Sequence, residues 1–274
     1  MTTDPTPQDK ADLALAQQAA TEAGQILLRH WAARADLTVT TKRAGDFLSQ
    51  ADVAAETCLR SILLGARPED GWLGEETGET GPARRRWIVD PLDGTTNFLR
   101  GIPHWAVSVA LEVEGLRRIG VVHDPVKGET FAARLGGGAT LNGRPIRVAQ
   151  TRDLSAALFG TGIPFGAMNH IDDHAADIAR LVPHCAGVRR MGAAALDLAY
   201  VAAGRLDGFW ERRLRPWDIA AGLVLLHEAG AQTAALDKGD RPEASGTVLT
   251  ATPALFAAFA SILRDQPAAE GSRA

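Results

Sequence analysis

Trp87-Ile88-Val89-Asp90-Pro91-Leu92-Asp93-Gly94-Thr95-Thr96-Asn97-Phe98 is the stretch that organises this chain. Its three leading apolar residues read as a short buried strand. The strand runs directly into two acids, a glycine and two hydroxyls. Asp93-Gly94-Thr95 then has the composition of a turn that opens a helix.

To the C-terminal side, segments 105–113, 117–123, 128–134 and 139–148 are short, β-rich and punctuated by Gly, Pro and Asn-Gly. Asn142-Gly143 lies between Thr140-Leu141 and Ile146-Val148, a two-residue hairpin signal of type I′. Four sequential strands with such short links predict an antiparallel meander and not βαβ units. To the N-terminal side, Leu13, Ala16, Ala20, Ala23, Ile26 and Leu27 recur at helical spacing over 9–33. A second helix is predicted over 50–65, with Ser49 and Asp52 as its capping box. Helices return at 169–182, 192–204, 217–229 and 253–264, the third flanked by Pro216 and Gly230. The order of helices, sheet and mixed half predicts an α+β layered body. It is expected to be one domain over 9–264, with two packed subdomains divided near 150 and flexible tails at 1–8 and 265–274.

The 274 residues, 46% hydrophobic, suffice for a proper core. A net charge of -4 gives no global pull toward nucleic acid. Arg84 to Arg86 and Arg212, Arg213 and Arg215 bunch locally, as solvated faces do. Cys58 and Cys185 lack metal-site or disulfide-framework spacing, which fits a reducing compartment. Without a signal-peptide core or an apolar run of about 20 residues, the expectation is a cytoplasmic protein with no membrane association.

Three segments place acids beside glycines and small hydroxyls at the edges of hydrophobic stretches: Gly74-Glu75-Glu76-Thr77, Asp90 to Phe98, and Trp217-Asp218-Ile219-Ala220-Ala221-Gly222. Unpaired carboxylates are costly there, and oxygen donors of this kind suit hard divalent cations such as Mg²⁺. Each has a bland alternative. Asp52 and Asp218 can cap helices, and Asp93-Gly94 can be a turn.

Asp90 to Phe98 resembles the D-P-x-D-G-T-x-N-F signature of the inositol monophosphatase family. Trp217 to Gly222 resembles its W-D-x-A-A-G signature, and Gly74-Glu75-Glu76 its G-E-E motif. Weaker similarity covers Gly120 to Pro125, Gly138 to Gly143 and Gly192-Ala193-Ala194, so the likeness extends from about residue 10 to 262. The resemblance implies a layered α/β/α/β/α sandwich of the inositol monophosphatase/fructose-1,6-bisphosphatase type, a homodimer, and lithium-sensitive, Mg²⁺-dependent hydrolysis of a small phosphate monoester. Glu75, Asp90, Asp93 and Asp218 match its metal-binding carboxylates, and Leu92 a carbonyl ligand. Thr95 matches a hydroxyl that helps activate water, paired with an acid corresponding to Asp52, and Glu75 shares in the catalysis. Substrate contacts are implied for Asp93, Gly94, Thr95, Ala194, Glu211 and Asp218. Lys42 and Asp46 fall in the loop before Asp52, and Lys42 matches a basic residue near the phosphate.

Four carboxylates and a phosphate monoester carry about six negative charges together, which two or three Mg²⁺ bring near neutrality. His104, His123, His174 and His227 are then dispensable as acid/base groups. Myo-inositol monophosphate is the leading substrate. Thr95-Thr96-Asn97-Phe98 departs from the K-E-F toward which the nucleotide-phosphatase motif tends, while Ala193 stands where members of the resembled family often carry Ser or Thr. Histidinol phosphate or a broader set of sugar phosphates is the alternative. The reading of another class is an RNA- or protein-assembly role on the Arg212–Arg215 face.

Overall fold

The computed structural model describes residues 6–37, 39–43, 46–163, 171–237 and 239–264. The first half comprises α1 (Pro7–Ala32), β1 (Val39–Arg43), β2 (Asp46–Ser49), α2 (Gln50–Ala66), β3 (Gly71–Gly74), β4 (Gly78–Thr80), β5 (Arg85–Asp93), α3 (Thr95–Arg100), β6 (Ala106–Val113), β7 (Leu116–Asp124), β8 (Glu129–Arg134), β9 (Ala139–Leu141) and β10 (Arg144–Ile146). The second comprises β11 (Leu158–Thr161), α4 (Ile171–Leu181), β12 (Gly187–Arg189), α5 (Ala194–Ala202), β13 (Gly208–Glu211), α6 (Pro216–Ala229), β14 (Gln232–Ala234), α7 (Pro242–Ser245), β15 (Val248–Ala251) and α8 (Pro253–Arg264).

The expected meander is the spine of an eight-stranded sheet ordered β10-β9-β8-β7-β6-β5-β3-β4. From β5 through β10 neighbours are antiparallel, and only β3 pairs parallel to β5. Alternation of side chains along a strand sorts the two faces. Trp87, Val89, Val107, Val109, Ile119 and Val121 bury against α1 and α2. Ile88, Ala106, Ala110 and Val122 face the opposite way, against α5 and α6. Gly120 lets α6 lie on β7, since a Cβ there would meet the Ala221 carbonyl oxygen at 2.4 Å.

A five-stranded sheet, β12-β11-β13-β15-β14, forms the next layer. Phe159, Trp210 and Leu249 from this sheet pack with Leu181 of α4 and with Leu255, Phe256 and Phe259 of α8. The layers are therefore α/β/α/β/α, as the resemblance implied. Burying each such large side chain contributes about 1.5–3 kcal/mol.

Local signals hold where they were specific. Asn142 (φ 48°) and Gly143 (φ 76°) both take positive φ, the type I′ requirement, and Leu141 pairs with Arg144. Pro216 opens α6 and Gly230 closes it at φ 88°. The N-terminus is a correction. Residues 6–8 are not a tail: Thr6 caps α1 and shares a capping box with Asp9. The segment before Asp52 is not a loop but the antiparallel pair β1/β2, in keeping with the β-branched run Val39-Thr40-Thr41. Residues 1–5, 265–274, 169 and 170 and the side chains of Lys42 and Asp46 lie outside the described residues.

Candidate metal centre

Asp90 and Asp93 sit at the end of β5, where the pairing with β6 shifts register between them. The chain then turns through Gly94, at φ 95°, into α3. A Cβ on Gly94 would stand 3.1 Å from the His104 carbonyl oxygen and 3.3 Å from the Ala193 Cβ. Glycine lets this turn adopt positive φ and press against the second half. β3 ends beside β5 and delivers Glu75, whose amide donates to the Val89 carbonyl at 3.2 Å. From the second half, β13 ends at Glu211, and the first turn of α6 carries Asp218.

These ends surround one cavity of about 830 Å³. Glu75, Asp90, Leu92, Asp93, Gly94, Thr95, Ala194, Glu211 and Asp218 all line it. Asp52 stands behind the wall and meets it through Thr95, whose hydroxyl lies 3.3 Å from Asp52 Oδ1 and 3.0 Å from the Leu92 carbonyl oxygen. None of His104, His123, His174 or His227 lines the cavity.

The cap reading and a place at or behind the cavity wall are compatible, because each acid divides its oxygens. Asp52 Oδ2 accepts from the Ser49 amide (2.9 Å) and hydroxyl (2.6 Å), closing the predicted capping box. Asp218 Oδ2 accepts from the Arg215 amide at 2.6 Å. Asp90 Oδ1 accepts from the Leu92 amide at 2.9 Å. Asp93 Oδ2 accepts from the Ala195 amide at 2.7 Å and thereby caps α5. Ala193, the N-cap residue of α5, has no side-chain donor or acceptor for that task, so an acid 102 residues before Ala195 performs it. In each case one oxygen is fixed by backbone, which orients the carboxylate.

The electrostatics are dominated by burial of like charges. Burial, followed by the charges of Glu75, Asp93 and Asp218, pushes the Asp90 carboxyl well above the usual range. Asp93 is raised to about 7, chiefly by burial and then by Glu75, against the lowering effect of the α5 amides. Asp218 is raised to about 7 by burial, with the Arg215 amide opposing. Burial and the charges of Asp218 and Asp93 also raise Glu211, against the pull of Arg190. Among the described residues Asp90, Asp93 and Asp218 form no ion pair.

Among the described residues no three acidic, His or Cys side chains converge closely enough to hold an ion as they stand. Asp90 and Glu75 are close enough to share a hydrogen bond, and Asp93 and Asp218 act on Asp90 through their charge. The donor set still fits a hard divalent cation: it is all oxygen, its carboxylates are anchored by backbone amides, and burial among like charges disfavours their charged forms.

Some participants carried no signal in the sequence. Glu56 is buried on α2, one turn beyond Asp52, and its carboxylate receives the amides of Glu76 and Thr77. Asp197 also lines the cavity, raised by burial and by Glu211. The Arg212–Arg215 bunch is divided, with Arg213 and Arg215 exposed and Arg212 half-buried. Arg212 is paired with Asp177 at 3.1 Å, and Arg213 and Arg215 line the cavity.

A sequence profile of the inositol monophosphatase family matches residues 9–268. The chain belongs to the inositol monophosphatase family. It is accordingly an enzyme of the phosphoric monoester hydrolase class. Family relatives include an inositol-1-monophosphatase of Rhizobium meliloti, 46% identical over 90% of this chain and 94% of the relative. Nus factor SuhB of Salmonella typhimurium is 38% identical over 93% and 96%. Among solved structures, the extragenic suppressor protein suhB of Bartonella henselae superposes with a TM-score of 0.91 at 39% identity, covering 94% of this chain and 100% of that one.

Proposed function

We propose that this chain is a Mg²⁺-dependent phosphatase that hydrolyses myo-inositol monophosphate to inositol and phosphate. The observation that carries the reading is the gathering of oxygen donors from both halves of the chain around one cavity, three of them carboxylates that form no ion pair among the described residues. Glu75, Asp90, the Leu92 carbonyl, Asp93 and Asp218 would hold two or three Mg²⁺. Bound there, magnesium supplies the positive charge that steadies the phosphate and the leaving oxygen and lowers the pKa of water.

The chain's own residues supply orientation and proton handling. Thr95 Oγ1 holds the attacking water, and its proton has Asp52 Oδ1 within reach at 3.3 Å. Glu75 assists from the opposite side of the turn. Asp93, Gly94, Thr95, Ala194 and Asp218 flank the phosphate and the near hydroxyls of the sugar alcohol. Glu211, at the end of β13, accepts hydrogen bonds from the ring hydroxyls. No helix among the described residues is long and apolar enough to cross a membrane. Cys58 and Cys185 form no disulfide. These features support placing the enzyme in the cytoplasm, and the family resemblance supports a homodimer.

The relatives named Nus factor SuhB keep an assembly role in view. Arg212 is tied to Asp177, while Arg213 and Arg215 are exposed and are the residues of that face such a role would use.

A panel of phosphate monoesters with and without Mg²⁺, scored by kcat/KM, tests the proposal. Myo-inositol monophosphate should lead, activity should vanish in chelator, and lithium should inhibit. Faster hydrolysis of histidinol phosphate would change the substrate, and full turnover in excess chelator would sink the mechanism.

A further inference from the structure

We infer that Glu56 is a positioning residue that aims Glu75 and so sets the affinity of the centre for divalent cation. The inference rests on the reading above, in which Glu75 is a ligand. Glu56 is 1% exposed, yet it pairs with no cation among the described residues. A buried carboxylate without a countercharge needs several donors to offset its desolvation. Glu56 finds them in the loop that carries Glu75. Its Oε2 accepts from the Glu76 amide at 2.9 Å, and its Oε1 from the Thr77 amide at 3.0 Å and from the Thr77 hydroxyl. Trp72 Nε1 donates to the same hydroxyl at 3.0 Å and closes the arrangement.

The fold makes room for this contact. A Cβ on Gly74 would stand 2.3 Å from Glu56 Oε1 and 2.6 Å from Trp72 Nε1, so glycine before Glu75 is what lets the carboxylate reach the loop. With Glu75 N bound to Val89 on one side and the next two amides held by Glu56 on the other, the backbone of Glu75 is fixed at both ends. Asp52 and Glu56 are four residues apart on α2, hence on one helical face. The same face steadies Thr95 through Asp52 and Glu75 through Glu56.

Losing one loop anchor should weaken cation binding more than ester binding. In the full-length protein, Glu56→Gln keeps the shape but sets an amide donor against one of the loop amides. Titration calorimetry with MgCl₂ alone should show affinity reduced about tenfold, and the Mg²⁺ concentration for half-maximal activity should rise in step. KM at saturating Mg²⁺ should stay within twofold of wild type. Thr77→Val, at an exposed position, removes one donor and should shift the Mg²⁺ constant about threefold in the same direction. A folded Glu56→Gln protein with wild-type Mg²⁺ affinity overturns the inference while leaving the metal reading intact. If Glu56→Gln does not fold, an unchanged Mg²⁺ constant in Thr77→Val overturns it. Equal losses in Mg²⁺ constant and KM would make Glu56 a general scaffold residue, which also overturns it. If wild type itself binds no Mg²⁺, the metal reading falls and this inference falls with it.

Discussion

Thr95 Oγ1 lies 3.3 Å from Asp52 Oδ1 while Asp52 Oδ2 is held by Ser49, so one carboxylate joins a helix cap to the cavity wall. Asp52→Asn keeps an oxygen for the Ser49 amide but loses the charge that receives a proton. Its kcat should fall by roughly 10²–10⁴, with a stability change within about 1 kcal/mol. Asp52→Ala should cost about 0.5–2 kcal/mol as well as activity. Full turnover by a folded Asp52→Asn protein would remove Asp52 from the chemistry.

Asp90 separates a metal site from a set of structural turns. Its carboxyl is raised by burial and by three neighbouring acids, so its charge opposes folding when no cation is present. Each close pair costs on the order of 1 kcal/mol or more. Asp90→Asn should therefore be as stable as wild type in chelator, or more so. It should lose most of the Mg²⁺-induced rise in Tm, which is ligand binding to the native state, and most activity. A mutant that melts well below wild type in chelator yet keeps its magnesium response would show that Asp90 is not a ligand.

Glu211 reaches the cavity from the end of β13, not from the β5 turn that carries Asp90 and Asp93. Glu211→Gln should raise KM for an inositol phosphate and spare p-nitrophenyl phosphate, which offers no ring hydroxyls. Equal losses on both esters would place Glu211 in support of the metal centre or the fold.

Gly143 takes φ 76° in the β9/β10 turn. A β-branched residue resists that conformation, so Gly143→Val should destabilise by roughly 1 kcal/mol or more in a urea melt. Kinetic constants should be unaffected. A neutral melt would mean that the turn rearranges without cost.

Asp9 predicts an acid limit. Burial pulls its carboxyl upward. The Arg118 guanidinium at 2.7 and 2.6 Å, with the Thr6 amide and hydroxyl, outweighs that and lowers it from 3.8 to about 2. A folded pKa below the unfolded one contributes stability above pH 3.8 that is lost as pH falls through about 2. The stability gap between wild type and Asp9→Asn should be constant from pH 7 to about 5 and shrink between about pH 4 and 2. A gap unchanged at pH 2 would contradict the assignment.

The β5 turn was legible because its grammar is local: an apolar strand, acids, a glycine, then hydroxyls within twelve residues. Asn142-Gly143 and Pro216 with Gly230 were legible for the same reason. Thr6-Pro7-Gln8-Asp9 carries the capping pattern that Ser49 to Asp52 also shows, so the start of α1 was available to the same reading. Glu56 was not. Its partners are backbone amides at 76 and 77, which every non-proline residue has, and a Glu within α2 looks like any solvated helix residue. Arg212 misled for the opposite reason: its partner Asp177 is 35 residues away, so it reads as part of a basic bunch. Whether Asp52 and Asp218 are caps alone or candidate site residues as well could not be separated from sequence, because a carboxylate that caps a helix with one oxygen still has a second.

The bond from Asp93 to the α5 amide spans 102 residues, and this has a meaning during synthesis. At about 5–20 residues per second, the growing chain carries its acidic turn for roughly 5–20 s before residue 195 exists to receive Asp93. Through that interval the turn is an anionic segment with neither its helix terminus nor the opposite wall of the cavity. A chain stopped short of α5 would lose more than Glu211 and Asp218: Asp93 itself would have nothing to point at.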